Sequence, residues 1–339
     1  MFFHHKKEKL AETGSLFMFE RYCSMMPTGA NRKTGRPVFL KRVASTMKGE
    51  GTETRFELLF TRTPGYLWAL LFRHFGVHPT IVTVVSILLG CAAGCFFGQT
   101  SVGYNVTGVC LLVWANWYDC ADGQLARMTG KTSLTGRILD GFAGDLWFFS
   151  IYFFICLRLQ AEWGVVVWLL AAWAGLHCHV KQCALADYYR NVHLYLLSDG
   201  RRGEWDNSPA LKERRSVLVG KDAWFEKLHL FFYIRYTLQQ ERSTPSLQRL
   251  RRKLDKEYGS LLPKDVRPLF EERSRALMPA CNLLTFDLRA GVLCLTCVMG
   301  VPWAYFLFEC TFLEWLRLFT RRRHEALSRS LFEKLSFHA

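Results

Sequence analysis

Apolar residues in this chain gather into runs close to the length of a membrane crossing, and most connections between them are short and polar. A helix needs ~20 predominantly apolar residues to span a bilayer. Residues 79–98 reach that length, and residues 103–118 begin a second run that leads into an aspartate-rich stretch. Residues 138–158 and 163–183 form a third and a fourth. Residues 284–300 and 301–318 form a fifth and a sixth, joined by a tight turn at Gly300-Val301-Pro302. The pattern predicts an all-α, polytopic membrane protein with six transmembrane helices. Residues 54–76 mix apolar and basic positions around Tyr66 and Trp68, which suits a helix lying in the membrane interface.

The expected organisation follows from these runs. Residues 1–53 are a polar, basic arm, and 54–190 hold the interfacial helix and four spans. A polar insert covers 191–283, two further spans cover 284–318, and a basic tail covers 319–339. Within the insert, residues 222–241 and 246–258 pattern as helices. Its plainest role is a basic, solvated cap over the membrane face, with substrate gating as the alternative.

Composition narrows the class. The chain has 339 residues, half of them hydrophobic, and a net charge of +15. That excludes a disordered tail or an acidic binder and suits an anionic membrane surface. No recognition helix, zinc knuckle or basic-aromatic platform is present, so nucleic acid is not an expected partner. The twelve cysteines are scattered, many inside apolar runs, and do not form a secreted disulfide framework. Cys294 and Cys297 sit three apart in an apolar run and read as packing residues. The opening MFFHHKKEKL lacks the apolar core of a signal peptide. Arg127, Lys131 and Arg137 in the 119–137 turn and Arg321, Arg322 and Arg323 in the tail set the orientation. By the positive-inside rule both termini and the aspartate stretch face the cytosol.

The chemistry lies in NWYDCADGQLARMTGKTSLTGRILDGFAGD, from Asn116 to Asp145. A carboxylate near hydrocarbon is costly unless it is paired or holds a cation. Asp119 and Asp122 are three apart and share one helix face. Gly123 and Ala126 are small and let another helix or a flat base approach, and Arg127 at the membrane edge can meet phosphate. Gly136 and Asp140 are four apart on the next helix. Facing helices would bring Asp119, Asp122 and Asp140 to one point, a set of hard oxygen ligands that favours Mg²⁺, or else Mn²⁺ or Ca²⁺.

Asp119-xx-Asp122-Gly123-xx-Ala126-Arg127-x8-Gly136-xxx-Asp140 resembles the signature of the CDP-alcohol phosphotransferase (CDP-alcohol phosphatidyltransferase) family, including the eight-residue gap. The resemblance covers roughly residues 60–190 and, by span count, 284–318. It implies six transmembrane helices, a homodimer, and transfer of a substituted phosphoryl group from a CDP-linked alcohol to a second alcohol with release of CMP. It further implies that Asp119, Asp122 and Asp140 hold the metal, Mg²⁺ or Mn²⁺, while Gly123, Ala126 and Arg127 seat the cytidine and diphosphate. The metal would neutralise the diphosphate. By the same resemblance Thr80, after Pro79, abuts the nucleotide.

The sequence departs from the pattern at one point. The family closes with a fourth aspartate four residues after the third, serving as general base and ligand. Here Gly144 occupies that position and Asp145 follows it. On a regular helix Asp145 lies about 140° round from Asp140, against about 40° for the family's residue. Three readings stay open. A bulge between Gly141 and Gly144 swings Asp145 back as base and ligand, or Asp145 serves a different chemistry from another angle, or the base is lost and the protein is an inactive metal-binding scaffold.

Other candidates are basic. Lys181 and Arg190 can line an acceptor pocket. Arg289, inside an apolar run, and Arg137, beside Gly136, can bind a substrate phosphate. His177 and His179 read as interfacial anchors. The basic residues favour CDP-diacylglycerol as donor to an anionic alcohol such as inositol phosphate or glycerol phosphate, in phospholipid or sphingolipid synthesis. The alternative is a CDP-headgroup donor with diacylglycerol or ceramide as the lipid acceptor. An intramembrane prenyltransferase would carry two separated aspartate clusters, unlike this single turn.

Overall fold

Several helices begin at a proline or under a capping side chain. The computed structural model describes residues 55–218 and 223–337, together with Val43. Apart from Val43, the expected arm over residues 1–53 lies outside the described residues. Every regular element among the described residues is helical. A π-helical turn at Leu58–Arg62 leads into α1 (Thr63–His74). α2 (Pro79–Phe97) starts with proline at its first position, where a missing N–H costs nothing, and His78 Nδ1 accepts the Thr80 N–H at 3.3 Å. α3 (Val102–Thr129) ends where Gly130 takes φ 67°, a left-handed conformation suited to glycine. Ser133 then caps α4 (Leu134–Trp163), its hydroxyl accepting the Gly136 N–H at 2.9 Å.

α5 (Val165–Ala172) passes through a π-helical segment, Trp173–His179, into α6 (Val180–Leu197). The chain continues as α7 (Ser208–Val217), α8 (Trp224–Ser243), α9 (Pro245–Glu257), α10 (Arg267–Leu283) and α11 (Phe286–Val298). α12 (Trp303–Phe308), a third π segment (Glu309–Leu313) and α13 (Glu314–Phe337) complete it. Helices thus occupy all six expected spans. Three stretches, Pro79–Phe97, Thr135–Trp163 and Arg267–Val298, are long and apolar enough to cross a membrane by length and composition. Among the described residues the protein is all-helical, and these apolar helices mark it as a membrane protein.

Glycines set the helix spacing. A Cβ on Gly90 would lie 2.1 Å from the Trp147 ring, and one on Gly94 2.8 Å from the Ile151 backbone nitrogen. α2 therefore packs against α4 at a distance only glycine allows. Trp147, Ile151 and Ile155 form a core with Leu112 of α3, Leu293 of α11 and Phe306 of α12. Leu88, Phe149, Leu169 and Leu176 point outward, as lipid-facing residues do.

The insert and the tail are less separate than their polarity suggests. α6 runs through the expected boundary at residue 190, and the expected tail is a helix. Leu247, Leu250 and Leu254 make a stripe along α9 that packs with Leu327, Leu331 and Leu335 of α13 and with Phe270 of α10. Two histidines are buried in this cap. His193 Nδ1 lies 2.7 Å from the Ser274 hydroxyl, and the His324 ring stacks on Tyr189 at 3.9 Å.

Burial holds His193 down at about 4 and His324 at about 3, against about 6.5 for a free histidine. Between pH 6.5 and 4 the unfolded chain therefore takes up protons that the folded chain excludes, so stability falls as pH falls across that window. At pH 5 the loss is on the order of 1–2 kcal/mol per histidine. The thermal midpoint of the detergent-solubilised protein should drop between pH 7 and pH 5, with His324→Phe flattening the slope. A midpoint unchanged over that range would contradict the burial.

Candidate active site

The turn between α3 and α4 brings the carboxylates together. Asp119 and Asp122 lie on the last turns of α3 and Asp140 on the second turn of α4, and one ligand oxygen from each lies within 4.8 Å of the others. Asp122 is buried, Asp119 half-buried and Asp140 exposed. Three anions this close repel strongly away from bulk water. Asp119 and Asp122 lie past the 103–118 run, and burial together with the neighbouring carboxylates pushes Asp119 up to about 7 and Asp122 up to about 9. The oxygen-only donor set fits a hard divalent cation, which would relieve that repulsion.

Residues around the triad hold the turn. The Thr83 hydroxyl donates to the Asp122 carboxylate. Thr80 Oγ1 and Ser133 Oγ are 3.0 Å apart, tying the start of α2 to the start of α4. A Cβ on Gly136 would come 2.8 Å from Thr80 Oγ1, so this glycine permits the approach. Arg127 folds back over Gly123, its guanidinium nitrogens 3.4 Å from where a Cβ on that residue would be. From α1, Gly65 packs on Cys120, and the Arg62 carbonyl accepts from Gln124 at 3.3 Å.

A cavity of about 2270 Å³ opens beside the triad, lined by Arg137, Asp140, Asp145 and Lys181 and walled by α8. Asp140 is the one triad member that reaches it; Arg190 is half-buried on α6 and does not line it.

Residues 76–186 match the CDP-alcohol phosphatidyltransferase family. This segment is a CDP-alcohol phosphatidyltransferase domain. No curated protein matches the chain, and no solved structure does. The phosphatidyltransferase domain takes in α2, α3, α4, α5 and the start of α6, and with them the triad, Thr80, Arg137 and Lys181. α8, Arg190 and Arg289 lie outside it.

Three sequence expectations are corrected here. α4 is regular from Leu134 to Trp163, so no bulge between Gly141 and Gly144 turns Asp145 back toward the triad. Asp145 lies outside the converging carboxylates and faces the cavity instead. The π segments fall elsewhere. His179 is not an interfacial anchor: it is buried, its Nδ1 3.0 Å from Glu309 Oε1.

Arg289 is fully buried, and its guanidinium is paired with Glu309, which is fully buried too. It also donates to Gln182 Oε1 at 2.9 Å and to the Leu284 carbonyl at 3.2 Å, while the Tyr152 hydroxyl donates to Glu309. Arg289 thus carries this ion pair and also lines the cavity beside the triad. Thr83, Arg62 and Glu309 escaped sequence reasoning. An acid inside the apolar run 301–318 was the one available signal, since an intramembrane charge calls for a partner.

Breaking a buried pair strands the other charge, at a cost of about 3–5 kcal/mol, whereas replacing both partners with apolar residues is often nearly neutral. Glu309→Gln should lower the thermal midpoint sharply, and the Arg289→Met/Glu309→Met double variant should recover most of the loss. A single variant as stable as the parent would show that the pair does not hold the bundle.

Proposed function

We propose that this protein is a membrane transferase that moves a substituted phosphoryl group from a CDP-linked alcohol, with CDP-diacylglycerol as donor, to a second alcohol and releases CMP. The supporting observation is the convergence of Asp119, Asp122 and Asp140 at a turn inside a CDP-alcohol phosphatidyltransferase domain. The three aspartates would hold Mg²⁺ or Mn²⁺, which neutralises the diphosphate when bound. Gly123, Ala126 and Arg127 seat the nucleotide, and Gly136 and Thr80 keep the turn tight. Six crossings place the motif and both termini in the cytosol, and the working unit is a homodimer.

The residues of the chain supply alignment and proton transfer. The incoming hydroxyl oxygen bonds to the β-phosphorus as the bond to the bridging oxygen breaks, and CMP leaves with that electron pair. Asp145, facing the cavity that Asp140 reaches, takes the hydroxyl proton. It does so from its own side of α4 rather than from the triad.

The decisive assay gives purified protein Mg²⁺ or Mn²⁺ and CDP-diacylglycerol with a panel of alcohols, and in parallel CDP-ethanolamine with ceramide or diacylglycerol, reading CMP. CMP release with the first donor is expected. Asp119→Asn should cut turnover by roughly 10³-fold, and Asp145→Asn by about 10²–10⁴-fold, the range for a lost general base. Near-normal turnover of Asp145→Asn would remove that residue from the mechanism. No CMP from any donor would leave a metal-binding scaffold.

A further inference from the structure

One cysteine reaches the cavity. Cys183 stands four residues after His179, where the π-helical segment passes into α6, so the two share a face. It is half-buried, and it is the one cysteine among the described residues that line the cavity, beside His179 and Arg289. Its thiol is hydrogen-bonded to the His179 ring. Nδ1 of the same ring lies 3.0 Å from Glu309 Oε1. The transfer chemistry described above makes no use of this thiol.

The three side chains stand in series as nucleophile, base and orienting acid. Glu309, paired with Arg289, accepts hydrogen bonds and does not donate, so it fixes the His179 proton on Nδ1 and leaves Nε2 as the basic nitrogen. The Phe148 ring packs on the imidazole at 4.6 Å between centroids, which holds it in place. Arg289 of α11 also faces the sulfur, and Tyr236 of α8 is its further titratable neighbour. An imidazole and a guanidinium at one thiol favour the thiolate. Arg289 keeps one guanidinium donor, Nε, without a hydrogen-bond partner, a donor suited to a carbonyl oxygen brought to the sulfur. Phe142, Phe148 and Phe286 give the same cavity an apolar lining. A thiol that only filled space would need neither the base nor the opening.

We propose that Cys183 is a nucleophilic thiol and a covalent modification site for α,β-unsaturated carbonyl compounds, with His179 as its base and Glu309 positioning that base. The thiol proton passes to His179 Nε2 as the sulfur bonds to the β-carbon. The electron pair of the carbon–carbon double bond moves to the α-carbon, which then takes the proton back from His179. No group leaves and no oxidant is consumed. The adduct stands in the cavity that Asp140 and Asp145 line, so modification closes the transferase site. That consequence rests on the transferase reading above; the modification itself does not.

Limited labelling with N-ethylmaleimide, an α,β-unsaturated carbonyl, tests the thiol directly. The full-length protein is treated in detergent and, separately, unfolded in guanidinium chloride, and labelling of the Cys183 peptide is followed by mass spectrometry from pH 6 to pH 8. In the unfolded chain the rate should fall roughly ten-fold per pH unit below about 8.5, as for any free thiol. At pH 6 folded Cys183 should react roughly ten-fold faster than unfolded Cys183, and its rate should change less than ten-fold over the whole range. His179→Gln, which can still hydrogen-bond Glu309 but cannot take the proton, should lose that advantage; the pH profile of the parent tests the base even where this variant does not fold. Folded Cys183 that reacts more slowly than the unfolded thiol at pH 6, or that shows the free-thiol slope, overturns the proposal. In the transfer assay N-ethylmaleimide should abolish CMP release by the parent and spare Cys183→Ala. A parent labelled at Cys183 that still releases CMP overturns closure of the site. No CMP from any donor, labelled or not, sinks the transferase reading and leaves the labelling result standing.

Discussion

Three carboxylates within 4.8 Å of one another at the edge of an apolar bundle are the constraint around which this molecule is built. Left alone they repel, and burial makes the repulsion worse because little water remains to screen it. Several separate devices hold them together. Gly130 turns the chain back on itself, Ser133 caps the helix that carries Asp140, and Thr80 and Thr83 brace the turn from α2. The close seating of α2 on α4 through Gly90 and Gly94 fixes where those braces stand. The scaffold thus keeps an electrostatically unfavourable cluster in place, an arrangement that makes sense when a cation completes it.

A second polar cluster lies deeper in the bundle. Arg289 and Glu309 pair in full burial, with Gln182, His179 and Tyr152 around them. Four stretches of chain meet there: α4, the π-helical entry to α6, α11 and the π segment after α12. Apolar packing allows sliding, whereas a buried ion pair hydrogen-bonded to Gln182, Tyr152 and the Leu284 carbonyl strongly favours one alignment. The late helices, which lie outside the matched domain, are by this means registered against the early ones.

What could be read in the sequence was what is local and periodic. The apolar runs became helices near their expected places, and the spacing from Asp119 to Asp140 brought three side chains to one point because a glycine turn and two helical periods are encoded within it. Relations across the chain were hidden. Arg289 stands out as a charge inside an apolar run, but nothing nearby in the chain names its partner, Glu309, which lies in the next run. Thr83 in the apolar run 79–98 looked like span filler until α2 was laid against α3. The polar insert looked like a solvated cap because its helices carry many charges. Nothing in their order along the chain told that α8 would wall the cavity beside the triad.

The π-helical turns carry a consequence of their own. His179 closes one such segment and Glu309 opens another. A π turn accommodates one residue beyond the α-helical repeat. The extra residue is absorbed inside the turn, so deleting a single amino acid from Trp173–His179 would let that stretch close to ordinary α geometry with Lys181 and the rest of α6 still facing their present neighbours. The same deletion in the regular part of α6 would swivel everything beyond it by about 100°. For this protein the two turns are where a gap in the chain is absorbed, and the regular helices are where it is not.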